Sequence, residues 1–263
     1  MPPTCVALPW WQSPLQRAPK ETWRRDPQPR SVRAMPRPFD LQKETARDLS
    51  RVADAFVDAD ADLATKRGYL ARLGAPATVL DVGCGQGRFL DVLAERGIEG
   101  LGLDASSDAV AACVARGLTV LQGDGLVLLR RLHEDRRKFA GVVLAHVVEH
   151  FDGATVAEWI AACARVVMPG GRLLVATPNS RSLIVLEEVF WLDPTHVRPY
   201  PRALLEKLGR DAGLQVVASY DDSTTVPRRS LLRRVLARLR SLLSGADRSA
   251  PLDSVVVFEK PKA

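Results

Sequence analysis

The sequence predicts a doubly wound α/β fold, with seven strands in a mostly parallel sheet and helices on both faces. Three observations predict it. An apolar run over residues 77–82 ends in alternate glycines, Gly83, Gly85 and Gly87, and a helical pattern through Phe89, Leu90 and Leu93 follows. A second apolar run then stops at an acid, Asp104. Beyond it, short apolar runs and helical patterns keep alternating to the end of the chain. Strand, glycine loop, helix and strand in that order open a parallel sheet that binds a nucleotide-like ligand.

Taken in order, residues 1–38 carry nine of the eighteen prolines and three of the five tryptophans without apolar periodicity. They read as a disordered extension, or as sequence ahead of a true start at Met35. No apolar core makes them a signal peptide. Residues 39–263 read as the domain proper. Residues 41–73 are helical and acid-rich, with Leu49, Val52, Phe56, Leu63 and Leu70 apolar. Later strands are expected at 118–121, 140–145, 172–177, 214–219 and 254–258, the last antiparallel to its neighbour. Helices are expected at 106–116, 126–137, 154–168 and 202–212. Ser106 and Ser107 supply the N-cap of the first of these, and Met168-Pro-Gly-Gly171 a helix stop. Residues 228–243 form a basic amphipathic helix, with Leu231, Leu232, Val235, Leu236, Leu239, Leu242 and Leu243 in one stripe, inserted before the last strand.

The glycine loop narrows the ligand. Glycine takes positive φ and lets a ligand approach the backbone. An acid closing the second strand can accept two ribose hydroxyls. Yet the dinucleotide fingerprint G-x-G-x-x-G fails, because Arg88 follows Gly85-Gln86-Gly87. An acid, Asp81, stands before the loop, which disfavours a pyrophosphate and favours an ammonium and a sulfonium. No phosphate-loop lysine follows, which disfavours a nucleoside triphosphate.

Val79-Leu-Asp-Val-Gly-Cys-Gly-Gln-Gly87 resembles motif I of the class I S-adenosylmethionine-dependent methyltransferases, and the resemblance covers roughly residues 40–220. It implies a Rossmann-like methyltransferase sheet and S-adenosyl-L-methionine as the methyl donor. Asp81, Gly83, Cys84, Gly85 and Gly87 would form the donor loop, and Asp104 would take the ribose. Asp124 and Gly125 match the place where that family sets an acid on the adenine amine, and His146 a position that touches the donor.

The acceptor side is read from histidines. Methyl transfer from a sulfonium needs positioning, and a hydroxyl acceptor also needs a base. His146, Glu149 and His150 form H-x-x-E-H after the fourth strand, a spacing that puts them on one side of a helical turn. The segment resembles the Glu, Glu and His of ubiquinone-type O-methyltransferases, but His146 replaces the first carboxylate, against magnesium. No metal is expected. His196 lies in the proline-stiffened segment Trp191-Leu-Asp-Pro-Thr-His-Val-Arg-Pro-Tyr-Pro201, which resembles a loop of saccharide- and lipopolysaccharide-modifying methyltransferases. Asp193 is expected to fix the His196 tautomer. Arg198 is read either as a binder of an acidic acceptor group or as solvated, and Asn179 either as facing the acceptor or as holding a turn. His133 lies in a charged stretch and is expected in solvent.

Charge and cysteines set the remaining bounds. The net charge of +6 is concentrated at the edges: seven basic against two acidic residues in 1–38, and seven against one in 228–248. Residues 39–227 hold 21 basic and 26 acidic residues, which disfavours a nucleic-acid groove. Four cysteines without metal spacing suggest a reducing cytoplasm. The helix at 228–243 is read as packed on its own domain or a dimer partner, or as lying on the inner face of a membrane. The expected function is therefore methyl transfer from S-adenosylmethionine to oxygen of a small-molecule acceptor: a saccharide, a lipid-linked saccharide or another hydroxylated metabolite. Transfer to nitrogen is the nearest rival, a non-catalytic donor-binding module another. A nicotinamide-dependent oxidoreductase is disfavoured by Asp81 and Arg88.

Overall fold

A computed structural model of the chain describes residues 59–225 and 250–262. The proline-rich segment 1–38, most of the expected helix 41–73 and the basic helix 228–243 lie outside them, wholly or in part. The described elements run α1 (Ala59–Leu73), β1 (Thr78–Val82), α2 (Arg88–Glu95), β2 (Glu99–Asp104), α3 (Ser107–Ala115), β3 (Val120–Gln122) and α4 (Gly125–Glu134). They continue β4 (Phe139–Ala145), α5 (Gly153–Val166), β5 (Val167–Pro178), α6 (Leu183–Glu187), α7 (Arg202–Asp211), β6 (Gln215–Asp221) and β7 (Asp253–Glu259).

The strands form one sheet in the order β3-β2-β1-β4-β5-β7-β6. β7 pairs antiparallel with both β5 and β6, and the other pairs are parallel, as the sequence predicts. Strand residues divide alternately between two cores. Leu80, Val142, Leu144, Leu173, Val175, Val256 and Phe258 face one side with Trp159 and Ile160 of α5. Val79, Val143, Leu174, Ala176, Val255 and Val257 face the other with Tyr69 and Leu73 of α1 and Phe89, Leu90 and Leu93 of α2. Covered faces explain the near-continuous apolar runs, since neither pleat direction meets water.

One boundary differs from expectation. The helix expected to reach Met168 stops at Val166, and Met168 joins β5. The pyrrolidine ring of Pro169 clashes with a helical conformation at the residue before it. The extra residues pass as an irregularity in the β4–β5 register, where Phe139 pairs with Val167 and Gly141 with Arg172.

α7 packs on β7 through Gly209, where an added Cβ would lie 2.1 Å from Cε1 of the buried Phe258 ring. Gly209→Val is expected to destabilise the fold by about 1–3 kcal/mol, because overpacking forces the ring or helix to shift. A lowered thermal unfolding midpoint with unchanged far-ultraviolet circular dichroism checks this.

β1 and β4 are adjacent and parallel, Val82 pairing with Leu144, and their connections leave to opposite sides of the sheet. This is the topological switch point, where a crevice opens at the carboxyl ends of the strands. The glycine loop follows β1 and the histidine-bearing turn follows β4. Both open onto that crevice.

Candidate functional site

The loop after β1 is held by its neighbour strand. The amides of Gly83 and Cys84 both donate to the Leu103 carbonyl, at 2.8 and 3.0 Å. Gly83, Gly85 and Gly87 all have positive φ, of 74°, 51° and 76°. Packing separates their roles. A Cβ on Gly83 would strike the Val147 side chain at 2.4 Å, and one on Gly87 would meet Cys113 and Leu118 at 2.7 and 2.8 Å. A Cβ on Gly85 would meet nothing within 4 Å. Gly85 alone of the three faces open space.

Asp104 closes β2 and ties the loop to the next helix. Its Oδ2 accepts from the Gly85 amide at 2.7 Å and its Oδ1 from the Ser106 amide at 2.8 Å. Ser106 caps α3 as expected, its hydroxyl accepting from the Ala109 amide at 3.3 Å. Asp81 is buried beneath the loop, and burial pushes its carboxyl up to about 7, Lys66 opposing and Asp104 adding to the rise. Burial and the Asp81 and Asp104 charges likewise raise the Cys84 thiol far above its ordinary value, so it is not a nucleophile. Asp124 caps α4 through Oδ1, which accepts from the Val127 amide at 3.0 Å. Gly125 lies against Trp159, where a Cβ would come within 2.3 Å of the indole.

The H-x-x-E-H segment is not one helical turn. His146 takes left-handed φ of 57°, and only Val148–His150 coil, as a 3₁₀ turn. The side chains consequently part. His146 is partly open to solvent, with Nδ1 3.3 Å from Glu149 Oε1 and Nε2 3.8 Å from Asp253 Oδ2. Desolvation acts to lower the His146 pKa, but the Asp253 and Glu149 carboxylates raise it above the ordinary value. Glu149 is fully buried, and its Oε2 accepts from the Thr177 hydroxyl at 3.1 Å. Burial works to raise its carboxyl, while His146 and then His150 bring it below the usual range.

His150 faces the other way, toward the segment after the 3₁₀ turn Val189–Leu192. Its Nδ1 lies 2.9 Å from the Thr195 hydroxyl, which donates to Asp193 Oδ1 at 2.5 Å. With the hydroxyl proton on Asp193, the Thr195 oxygen accepts from His150 Nδ1–H, an assignment made from this network. His196 lies 4.8 Å from His150 between ring centroids, and its Nδ1–H donates to the Phe190 carbonyl at 2.7 Å. Asp193 and His196 do lie side by side, but the expectation that Asp193 fixes the imidazole tautomer is corrected by this arrangement. A main-chain carbonyl fixes the His196 tautomer, and Asp193 Oδ2 stands 4.0 Å from Nε2, beyond hydrogen-bonding distance. Asp193 serves Thr195 instead, and the Thr195 hydrogen bonds help hold its carboxyl below the ordinary value against desolvation.

The segment is anchored to the β4 turn through main chain, the Val197 amide donating to the Glu149 carbonyl at 2.8 Å. With Nδ1 engaged in each ring, both imidazoles keep an Nε2 lone pair. One donor atom from each of Glu149, His150 and His196 lies within 4.8 Å of the others. Asn179 holds a turn, its Nδ2 donating to the Pro251 carbonyl and its Oδ1 accepting from the Arg181 amide. Arg198 is exposed and stacks over the Tyr200 ring at 5.0 Å. His133 is exposed on α4, as expected. Thr195 and Thr177 were not anticipated, although Asp-Pro-Thr carries an Asx-turn signal, realised where the Thr195 amide donates to Asp193 Oδ1 at 2.8 Å.

Comparison with known proteins gives the same fold and a family. The chain is 37% identical over 103 residues to the ubiquinone biosynthesis O-methyltransferase of Sinorhizobium medicae, covering 38% of this chain and 41% of that one. It is 32% identical over 159 residues to that of Pseudomonas paraeruginosa, covering 54% and 66%. The match therefore spans about two-fifths of the first relatives' length. The fold is shared with an S-adenosylmethionine-dependent methyltransferase from Archaeoglobus fulgidus, at a TM-score of 0.62 and 24% identity over 85% of this chain and 100% of that one. It is also shared with the Synechocystis magnesium protoporphyrin IX methyltransferase bound to S-adenosylhomocysteine, at a TM-score of 0.56 and 19% identity over 84% and 96%. The family profile described as a methyltransferase domain matches residues 54–219. By that match the chain belongs to the methyltransferase domain family, in its class I, S-adenosylmethionine-dependent form.

Proposed function

We propose that the protein transfers a methyl group from S-adenosylmethionine to an oxygen of a small hydroxylated acceptor, a saccharide or lipid-linked saccharide foremost. The observation that carries this reading is the pair of imidazole lone pairs beside Glu149, at the same crevice as the donor loop. The donor, when bound, supplies a methyl already activated on sulfonium, so the protein's tasks are to hold, orient and manage one proton. The residues present suit it. The open space over Gly85 admits a ligand against the backbone, and each Asp104 oxygen has accepted one amide and retains a lone pair for a ribose hydroxyl. Asp124 Oδ2 is the acceptor assigned to the adenine amine, and Asp81 the counter-charge to the donor's ammonium. Cys84 lines the loop, and His146 the donor side of the β4 turn. His150, oriented through Thr195 and Asp193, and His196, oriented by Phe190, take the acceptor hydroxyl proton at Nε2, with buried Glu149 stabilising the charge that develops.

Oxygen is favoured over nitrogen because an amine only has to arrive unprotonated, whereas two oriented bases suit a hydroxyl. Exposed Trp191, Leu192 and Val197 flank His196 and offer an apolar platform for a sugar face or lipid tail. A quinone-type phenol is the second reading, favoured by the names of the relatives. Incubation with methyl-labelled donor and panels of saccharide, quinone-type and amine acceptors tests the proposal. Label on a hydroxyl supports it; label only on amines, or donor binding without transfer to any panel, overturns it.

Donor binding should depend on pH. Free Asp81 holds its proton up to about pH 7, and an ammonium beside it favours the ionised form, so binding releases a proton. By linkage, affinity should rise with pH, by up to about tenfold per unit between roughly pH 5.5 and 7, then level off. Calorimetry in buffers of differing ionisation heat reads the released proton. Asp81→Asn should flatten the profile.

A further inference from the structure

We propose that Arg116, at the end of α3, is a positioning residue that holds the glycine loop in the shape that takes the donor, without touching the donor itself. The inference rests on the donor reading of that loop. Three of the five residues from Gly83 to Gly87 are glycines, all at positive φ. Glycine has the widest choice of backbone conformations, so such a loop keeps one shape only where other groups fix it. A loop left free would have to be ordered by the donor at a cost in affinity, and a loop ordered beforehand spares that cost.

Asp104 fixes the Gly85 amide, and α3 fixes the carbonyls that follow. The Gly85 carbonyl accepts from the Cys113 thiol at 3.4 Å, and the Gln86 carbonyl accepts from Arg116 Nη2. Two further bonds anchor the guanidinium. Its Nε donates to the Ala112 carbonyl at 3.3 Å, one turn back on its own helix, and its Nη1 pairs with Asp91 in the first turn of α2. One side chain thus joins α3, the loop and α2. Arginine suits this task because its planar fork presents several N–H groups in fixed directions, whereas a lysine ammonium is a point charge on a flexible stem. Nη2 also lies 3.2 Å from where a Cβ on Gly87 would stand, so the guanidinium fills space behind the loop's last glycine.

A plain surface ion pair with Asp91 would contribute little, since both side chains are partly exposed. The bond to the Gln86 carbonyl separates the two accounts. It acts on the main chain of the loop, while Asp91 only steadies the guanidinium. Asp104 from β2 and Arg116 from α3 hold successive residues, Gly85 and Gln86, so the loop is clamped from two elements before any ligand arrives.

Two measurements on the full-length protein test this. Hydrogen exchange without ligand reads the loop, and calorimetry with S-adenosylmethionine and S-adenosylhomocysteine reads the consequence for binding. In Arg116→Met the amides of residues 83–87 should exchange roughly tenfold faster, with those of β4 and β5 unchanged. Both ligands should bind about tenfold more weakly, while the thermal unfolding midpoint stays within about 2 °C of wild type. Arg116→Lys keeps the charge and should restore little of either quantity, and it carries the same comparison if the Met variant folds poorly. Asp91→Asn, which removes the ion pair and leaves the Gln86 bond, should change affinity less than about threefold. Unchanged loop exchange in Arg116→Met, faster exchange with undiminished ligand affinity, or full rescue by lysine overturns the proposal and leaves the methyl-transfer reading standing. A wild-type protein whose loop exchange depends on Arg116 but which binds neither ligand overturns that reading and leaves the tether in place.

Discussion

His150→Ala is expected to lower turnover about a hundredfold or more while donor affinity stays within about threefold of wild type. General-base groups are worth roughly 10²–10⁴ in rate, and His150 is the imidazole whose orientation is most fully specified. Its Nδ1 is engaged by Thr195, and that hydroxyl in turn by Asp193, so no rearrangement is required to present Nε2. Donor binding should be spared because the glycine loop, Asp104 and Asp81 make no hydrogen bond to His150. His196→Ala should fall by a comparable factor. The double variant should fall little further, since residues acting as one unit are strongly non-additive. Steady-state rates with the acceptor found by labelled-donor screening, together with donor calorimetry, check all three. Near-additive losses would mean two separate roles rather than one cluster.

The loop that we assign to the donor was legible as a structural unit because it is contiguous. Strand, glycines and helix from Thr78 to Asp104 form one supersecondary unit, and Asp104 meets Gly85 with a side chain that only has to cross from one strand to its neighbour. Within that unit the sequence could not distinguish which glycine faces open space. That depends on Val147, Cys113 and Leu118, which arrive from other elements. The acceptor half is assembled from separate segments, and its errors follow from that. Spacing suggested that Asp193 would orient His196, as an i, i+3 pair often does. The Asx turn at Asp193 instead spends one carboxylate oxygen on the Thr195 amide and hydroxyl, and the Phe190 carbonyl reaches His196 first. Likewise the helical spacing of His146, Glu149 and His150 carried no sign that His146 adopts positive φ, a conformation that a polar cluster with Asp253 can support.

Asp104→Ala is expected to weaken donor binding roughly a hundredfold or more. The carboxylate does two jobs, and the substitution ends both. It holds the Gly85 and Ser106 amides at 2.7 and 2.8 Å, and it retains lone pairs assigned to the ribose hydroxyls. Hydrogen bonds to a charged group contribute about 1.5–3 kcal/mol each, and every 1.4 kcal/mol is tenfold in affinity, so losing two from the complex accounts for the estimate. The loop contacts separate this residue from a simple ligand contact. Asp104→Asn preserves size and one carbonyl oxygen, but its amide nitrogen would meet an amide donor at either Gly85 or Ser106, donor against donor. The Asn variant should therefore bind the donor nearly as poorly as the Ala variant. If a residue merely touched ribose, Asn would rescue most of the affinity. Calorimetry of both variants with the donor and its demethylated product, beside thermal unfolding to register the loss of the loop tether, distinguishes a carboxylate that builds the site from one that only lines it.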